Sequence, residues 1–415
     1  MLPFHIAYHG LWLILGLLSI VVELHAEGQF CLDQLNPLYD GVKLVKECGM
    51  VNANSVQNAK RLFSTSNSAS APMVLSFYCT SHTEKCEKVK DSFNKAFELI
   101  TNVITLRHPL TVNASFISFC KELTIGCNEF GVVGAANPAR MLPHQGLDGK
   151  VRMYPQALLK QKGLRIHPEY NKDDIIALFN SDINFWFEDD EKPINSTQND
   201  FLFAVIHEMM HGFGVNTDWM DHFNSPASIL TPMPLFNQTE DGLIFSGFFE
   251  SAFDQYLIEF PSLEPLSSHT QALNQATKPG TFYLNEEDFL AALTNSTVYK
   301  LVERMKRLAV TRDSIVFLAK HKQKQKDEHI FLETSLKPFI PGSLITHFDY
   351  QTYTNTSDFL MRFTQMYGES LLHDIRLGGD YLTGPIGPKL TSLLETLGYE
   401  INLNPRPYTD FLRIY

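Results

Sequence analysis

His207, Glu208 and His211 stand in the run FLFAVIHEMMHGFG at the spacing His-Glu-x-x-His. On a helix, positions i and i+4 share one face, so the two imidazoles can hold a single metal ion. Glu208 projects beside that pair without being needed as a ligand, which suits a general base acting on a metal-activated water. Phe201 to Ile206 are all apolar, so the helix is expected to be buried. Buried imidazoles and a buried carboxylate need partners to offset lost hydration, and zinc supplies one. Gly214 extends the pattern to His-Glu-x-x-His-x-x-Gly and lets the chain leave the helix with positive φ. The bland alternative is a core histidine pair satisfied by ordinary hydrogen bonds; burial and the glycine favour a metal. Two imidazoles alone make a weak site, so a third donor is required. Asp218, Asp221 and His222 lie just after the helix, and His347 lies far downstream.

The surrounding elements are expected to form a sheet with the motif helix behind it. Met73 to Tyr78 has strand composition, and Glu84 to Ile104 carries apolar residues at 89, 93, 96, 97, 100, 103 and 104, a helical stripe. Leu110 to Phe119 is again strand-like, which makes a βαβ unit and predicts a mainly parallel sheet. A short helix is expected over Asn171 to Phe179, a strand over Ile183 to Phe187, and a turn at Asn199-Asp200 that caps the motif helix. Asn216 to Gly342 mixes apolar runs with proline-rich turns and reads as a large insertion. Near the end, Leu390, Leu393, Leu394 and Leu397 share a helix face, with Gly398 as its stop.

The 415 residues are 44% apolar and 12% aromatic, enough for a substantial core. A net charge of -12 argues against nucleic acid or an anionic membrane as the main partner. The basic run Lys320 to Lys326 is read as a solvated loop. Residues 1 to 26 resemble a secretory signal: an apolar core from Leu11 to Val22, too short to span a bilayer comfortably, then a small residue at Ala26. Sequons at Asn113, Asn195, Asn237, Asn295 and Asn355 support export. The six cysteines read as up to three disulfides, most simply Cys31 with Cys48, Cys79 with Cys86 and Cys120 with Cys127, although spacing alone permits 15 connectivities. Residues 27–70 are read as an N-terminal segment or short propeptide ending in the polar stretch Ser64 to Ser70. Residues 71–214 are read as a catalytic subdomain with the metal helix, and 215–415 as a second subdomain.

With these pieces in hand, the chain resembles the metzincin clan of zinc peptidases, and within it the leishmanolysin-like enzymes, whose zinc motif is interrupted by a long insertion. The compact clan members place a third histidine three residues after the glycine, where this chain has Thr217. Leishmanolysin-like enzymes place it much later, before a methionine turn. Gly342-Ser-Leu-Ile-Thr-His347, followed by Asp358-Phe-Leu-Met361, matches that pattern, and the terminal Leu397-Gly-Tyr399 is similar to the clan's last helix. The resemblance implies an α+β zincin fold: a mixed, mostly parallel sheet, a long active-site helix, and a mostly helical or irregular C-terminal subdomain. It implies Zn²⁺ on His207, His211 and His347, Met361 in a turn beneath the metal, and Glu208 as general base of a secreted endopeptidase acting on peptide or protein substrates. Two rivals remain open: a zinc hydrolase using Asp218, Asp221 or His222, and a non-enzymatic secreted glycoprotein serving as a cell-wall or adhesion module.

Overall fold

The computed structural model describes residues 29–38, 43–52, 72–123, 132–223, 229–320 and 327–412. The signal-like segment, the polar stretch at 64–70, Cys127 and the basic run after Lys320 lie outside these residues.

Gln29–Gln34 (β1) and Lys43–Cys48 (β2) form an antiparallel hairpin closed by the Cys31–Cys48 disulfide. Cys31 and Leu32 are fully or almost fully buried, and the buried Asp33 carboxylate receives two N–H groups of Arg140. This part of the expected N-terminal segment is therefore built into the molecule's own core.

The main sheet is ordered by its apolar alternation. Met73–Cys79 (β3) pairs in parallel with Leu110–Ile117 (β4), and the helix Thr83–Val103 (α1) makes the crossover between them. The stripe Val89, Phe93, Ala96, Phe97, Ile100 and Val103 is buried, as the helical period requires. Gly134–Pro138 (β5) runs through Ala139 into Arg140–Gln145 (β6), which pairs with Val151–Pro155 (β7) on one side and with β1 on the other. Ile175–Asn180 (β8) is a strand, a correction of the helix expected over Asn171 to Phe179. Its sequence, Ile-Ile-Ala-Leu-Phe-Asn, is short and apolar enough for either state. Pairing decides it: β8 lies parallel to β4 and antiparallel to β5. The sheet order is β3-β4-β8-β5, parallel except for β5 at one edge.

The second half follows the motif helix Phe201–Gly212 (α2). It holds more sheet than expected. Met233–Gln238 and Leu243–Phe249 form a hairpin, and Leu257–Glu259 (β9), Ile315–Lys320 (β10) and Asp327–Phe331 (β11) form a sheet in the order β9-β10-β11. Three helices, Leu266–Thr277, Glu286–Thr294 and Tyr299–Ala309, fill the interval. Leu371–Leu377 (α3) and Pro388–Leu397 (α4) are the last two α-helices, and Leu390, Leu393, Leu394 and Leu397 are all buried. The fold is thus α+β.

Cys79 and Cys86 form a second disulfide, Cys120 is also disulfide-bonded, and no cysteine among the described residues is free. No helix among the described residues is long and apolar enough to cross a membrane. Of the sequon asparagines, four are exposed, whereas Asn113 lies in β4 with its amide donating to Asp173.

Candidate metal centre

Helix α2 begins where Asp200 accepts the Phe203 N–H, the cap read from sequence. The other carboxylate oxygen accepts the Leu371 N–H, which ties the start of α2 to the start of α3. Phe201 is wholly buried among the rings of Phe93, Phe116, Phe179, Phe185 and Phe187. At the other end, a Cβ on Gly212 would stand 2.5 Å from Ile175, so only glycine lets the helix lie this close to β8. Gly214 then takes φ +100°, and a side chain there would also strike Pro155. The helix is fixed at both ends, and its histidine face with it.

Asp200→Ala should lower stability by about 1–3 kcal/mol, because it leaves an α2 N–H and the Leu371 N–H without their acceptor; thermal unfolding measures the loss. Burial pushes this carboxyl up to about 6, from 3.8. Its raised affinity for a proton is a stabilising contribution fully present below pH 3.8 and lost as pH rises towards about 6. Asp200→Asn should remove that slope from the pH–stability profile.

His207 and His211 leave α2 side by side, and His347 meets them from the far end of the insertion. The three Nε2 atoms form a triangle of 3.1, 3.2 and 3.2 Å. All three rings are buried. Each Nδ1 faces a backbone carbonyl: Leu360 at 2.8 Å for His207, Val215 at 2.8 Å for His211 and Ser343 at 3.0 Å for His347. A carbonyl can only accept, so each Nδ1 carries the proton and each Nε2 presents a bare lone pair to the other two. Protonation does not relieve this. Burial pushes His207 down to about 3 and His211 to about 4, and burial followed by the neighbouring imidazoles holds His347 well below the usual range.

Three converging lone pairs without a donor call for a cation. Tetrahedral zinc with bonds of about 2.0–2.1 Å needs ligand nitrogens about 3.3–3.4 Å apart, and the triangle is within about 0.3 Å of that. The donor set fits zinc in number, type and spacing. The Nδ1 bonds are also the outer contacts that orient metal-binding imidazoles.

Glu208 is half-buried and accepts the Ala136 N–H at 2.8 Å. Its carboxylate is thereby held at the outer edge of β5 beside the triad, not within it. Odd-numbered residues of this strand face β8, as the bonds Asn180 N–H to Val133 and Ala139 N–H to Asp174 show. The backbone groups of Gly134 and Ala136 therefore face outward.

The nearby alternatives take no part in the triad. Asp218 is bonded by Lys43 Nζ at 2.8 Å, and His222 Nε2 meets the Asp218 carbonyl. Thr217 donates to Asp254. Met361 is buried in the 3₁₀ turn Phe359–Met361, whose Leu360 carbonyl holds His207. Tyr399 donates to the Phe213 carbonyl, so the Leu-Gly-Tyr ending packs against the end of α2.

Several positioning residues carry no motif. Glu333, just beyond β11, donates its N–H to the His347 carbonyl and accepts the Ile345 N–H, while its buried carboxylate accepts from Tyr350 N–H and Ser335. Phe348 N–H donates in turn to the Met361 carbonyl. Isolated bridges join Leu332 to Phe348 and Phe348 to Arg362, so three segments lie side by side and hand His347 to the triad. Thr346 Oγ1 donates to Asn216, whose amide donates to Asn137, whose own amide donates to the Pro37 carbonyl. Each of these residues is unremarkable in sequence; only the contact gives it a role.

A second carboxylate–histidine group, Glu259, Glu264 and His269, is neutralised differently. Glu259 is paired with Arg304 and accepts from His269, which accounts for its charge without an ion.

The family model described as SPBPB7E8-like matches residues 31–413. An uncharacterized protein of Schizosaccharomyces pombe is 25% identical over 342 residues, covering 76% of this chain and 59% of the relative. The chain thus spans less than two thirds of the length of that relative.

Proposed function

The chain belongs to the SPBPB7E8-like family, and from its site we propose that it is a zinc-dependent peptidase. The observation that carries this reading is the buried Nε2 triangle beside a carboxylate that is not part of it. A purely structural zinc site is closed by four ligands and has no use for Glu208.

When bound at His207, His211 and His347, zinc supplies Lewis acidity, which brings the ionisation of water near neutral pH. The rest falls to the chain's own groups. A peptide laid antiparallel on the outer edge of β5 would find the Gly134 backbone groups and the Ala136 carbonyl facing it, the Ala136 N–H being held by Glu208, the way extended peptides add to a sheet edge. Glu208, held by Ala136 N–H, takes a proton from the attacking water. The hydroxyl joins the carbonyl carbon, the C–N bond breaks, and Glu208 returns the proton to the leaving amine. The half-buried position of Glu208 and the buried rings limit competing water. The signal-like segment, sequons and disulfides support action in an oxidising, exported setting.

Purified protein should bind one zinc per chain and hydrolyse a pool of peptides, some with free and some with blocked amino termini. A chelator should remove both properties, and added zinc should restore them. Zinc bound at one equivalent with no cleavage of any peptide would defeat the peptidase reading and favour the non-enzymatic module.

A further inference from the structure

Among the described residues, the strand that passes the triad is covered on its outer side along only part of its length. Beyond Ala139, β6 is paired there with β1, in the register Leu32↔Met141 and Asp33↔Arg140. Ala139 divides its two groups: its N–H goes to Asp174 on the β8 side, and its carbonyl accepts Gln34 N–H at 3.0 Å. So β1 stands on the side from which Glu208 meets Ala136. It also runs antiparallel to this strand, the direction an added peptide would take on β5. The peptide and β1 would share one track, and β1 ends where the peptide would begin. Past Gln34 the chain stays against the strand, since Asn137 donates to the Pro37 carbonyl. Between Ala136 and this stop there is room for about one or two residues at roughly 3.3 Å each. The stop is firm, being anchored by the Cys31–Cys48 disulfide and the Asp33–Arg140 pair.

At the same place lies a cavity of about 20 Å³, lined by Gln34, Lys43, Asn137, Asn216 and Asp218 among others. It has room for one water-sized group. Asp218 is 4% exposed; its Oδ1 accepts Lys43 Nζ, and its Oδ2 has no hydrogen-bond partner among the described residues. Behind it, Asp254 Oδ2 accepts the Asp218 N–H, and burial followed by the Asp218 charge pushes the Asp254 carboxyl up to about 7. Glu250, close by, is already paired with Arg152. An ammonium group entering the cavity would satisfy Oδ2.

We propose that the chain is an exopeptidase acting at amino termini, with the free α-ammonium of its peptide substrate held by Asp218 Oδ2 while β1 blocks longer upstream extension. This rests on the zinc-peptidase reading and replaces the internal cleavage that resemblance implied. Water adds across the first or second peptide bond, and the released amino acid or dipeptide keeps its α-ammonium.

The full-length, zinc-loaded protein should be given one peptide in free and N-acetylated forms, with products identified by mass. Single residues or dipeptides should leave the amino end, and acetylation should lower kcat/KM about 10- to 100-fold, the range of a charge-assisted hydrogen bond. Calorimetry on Glu208→Gln should show the free form binding more tightly than the acetylated form by a similar factor. Asp218→Asn should raise KM for the free form and close the gap between the two. Should that variant fail to fold, the free-against-acetylated ratio on the unaltered chain still decides. Internal cleavage of acetylated peptides at undiminished rate would overturn this inference while leaving the peptidase reading intact. Zinc binding without cleavage of either form would remove both.

Discussion

Replacing His347 by alanine should release zinc while Asp218→Ala and His222→Ala retain it. His347 Nε2 stands 3.1 and 3.2 Å from the other two donors, whereas Asp218 and His222 are engaged with Lys43 and with each other's backbone or ring. If a zinc site contributes roughly 10–16 kcal/mol in all, losing one donor of three should weaken binding on the order of 1000-fold or more. Metal content after dialysis against a weak chelator, measured on folded protein, reads this directly. The hydrolytic activity should fall with the metal. Should His347→Ala keep zinc while one of the nearer substitutions loses it, the triad is wrong and the ligand comes from the loop after α2.

The second large effect separates chemistry from metal binding. Glu208→Gln should keep zinc at one equivalent and lose peptide hydrolysis by at least about 100- to 10,000-fold, the share a positioned general base supplies. The amide has the size of the carboxylate, and its oxygen can still accept the Ala136 N–H, so the edge of β5 should be undisturbed. What disappears is the capacity to take a proton. Turnover near the parent's level would remove Glu208 from the reaction. Loss of zinc in this variant would instead make it a ligand or a structural anchor, contrary to its place outside the Nε2 triangle.

The motif helix was legible because all its signals are local. Asp200 caps, Phe201 to Ile206 bury, His207 and His211 recur at the helical period, and Gly214 leaves with positive φ, all within one short stretch. The α1 stripe and the leucine face of α4 were legible for the same reason. His347 stood apart from any such period, and its assignment came from resemblance to a family pattern.

The identity of β8 was beyond sequence. Ile175–Asn180 is a short apolar run that local propensity leaves open, and only partners on both sides make it a strand. Glu333, Asn137 and Asn216 were invisible for a related cause: each acts through a hydrogen bond to a residue far away in the chain, and no neighbour in sequence records that bond. The hairpin of β1 and β2 is the sharpest case. Composition marked residues 27–70 as an N-terminal segment or short propeptide, yet its first part pairs into a sheet and ends alongside the strand that continues β5.

Side-chain type and helical period, then, determined that this chain carries two histidines and a glutamate on a buried, capped helix. A family pattern pointed to His347, but tertiary structure alone decided how its imidazole closes the triangle, that Glu208 is turned to a sheet edge, and that β1 ends near it. Local patterns act over a few residues, whereas closing a longer loop costs only slowly more entropy, so residues more than a hundred positions apart can meet with nothing nearby in the sequence to announce it.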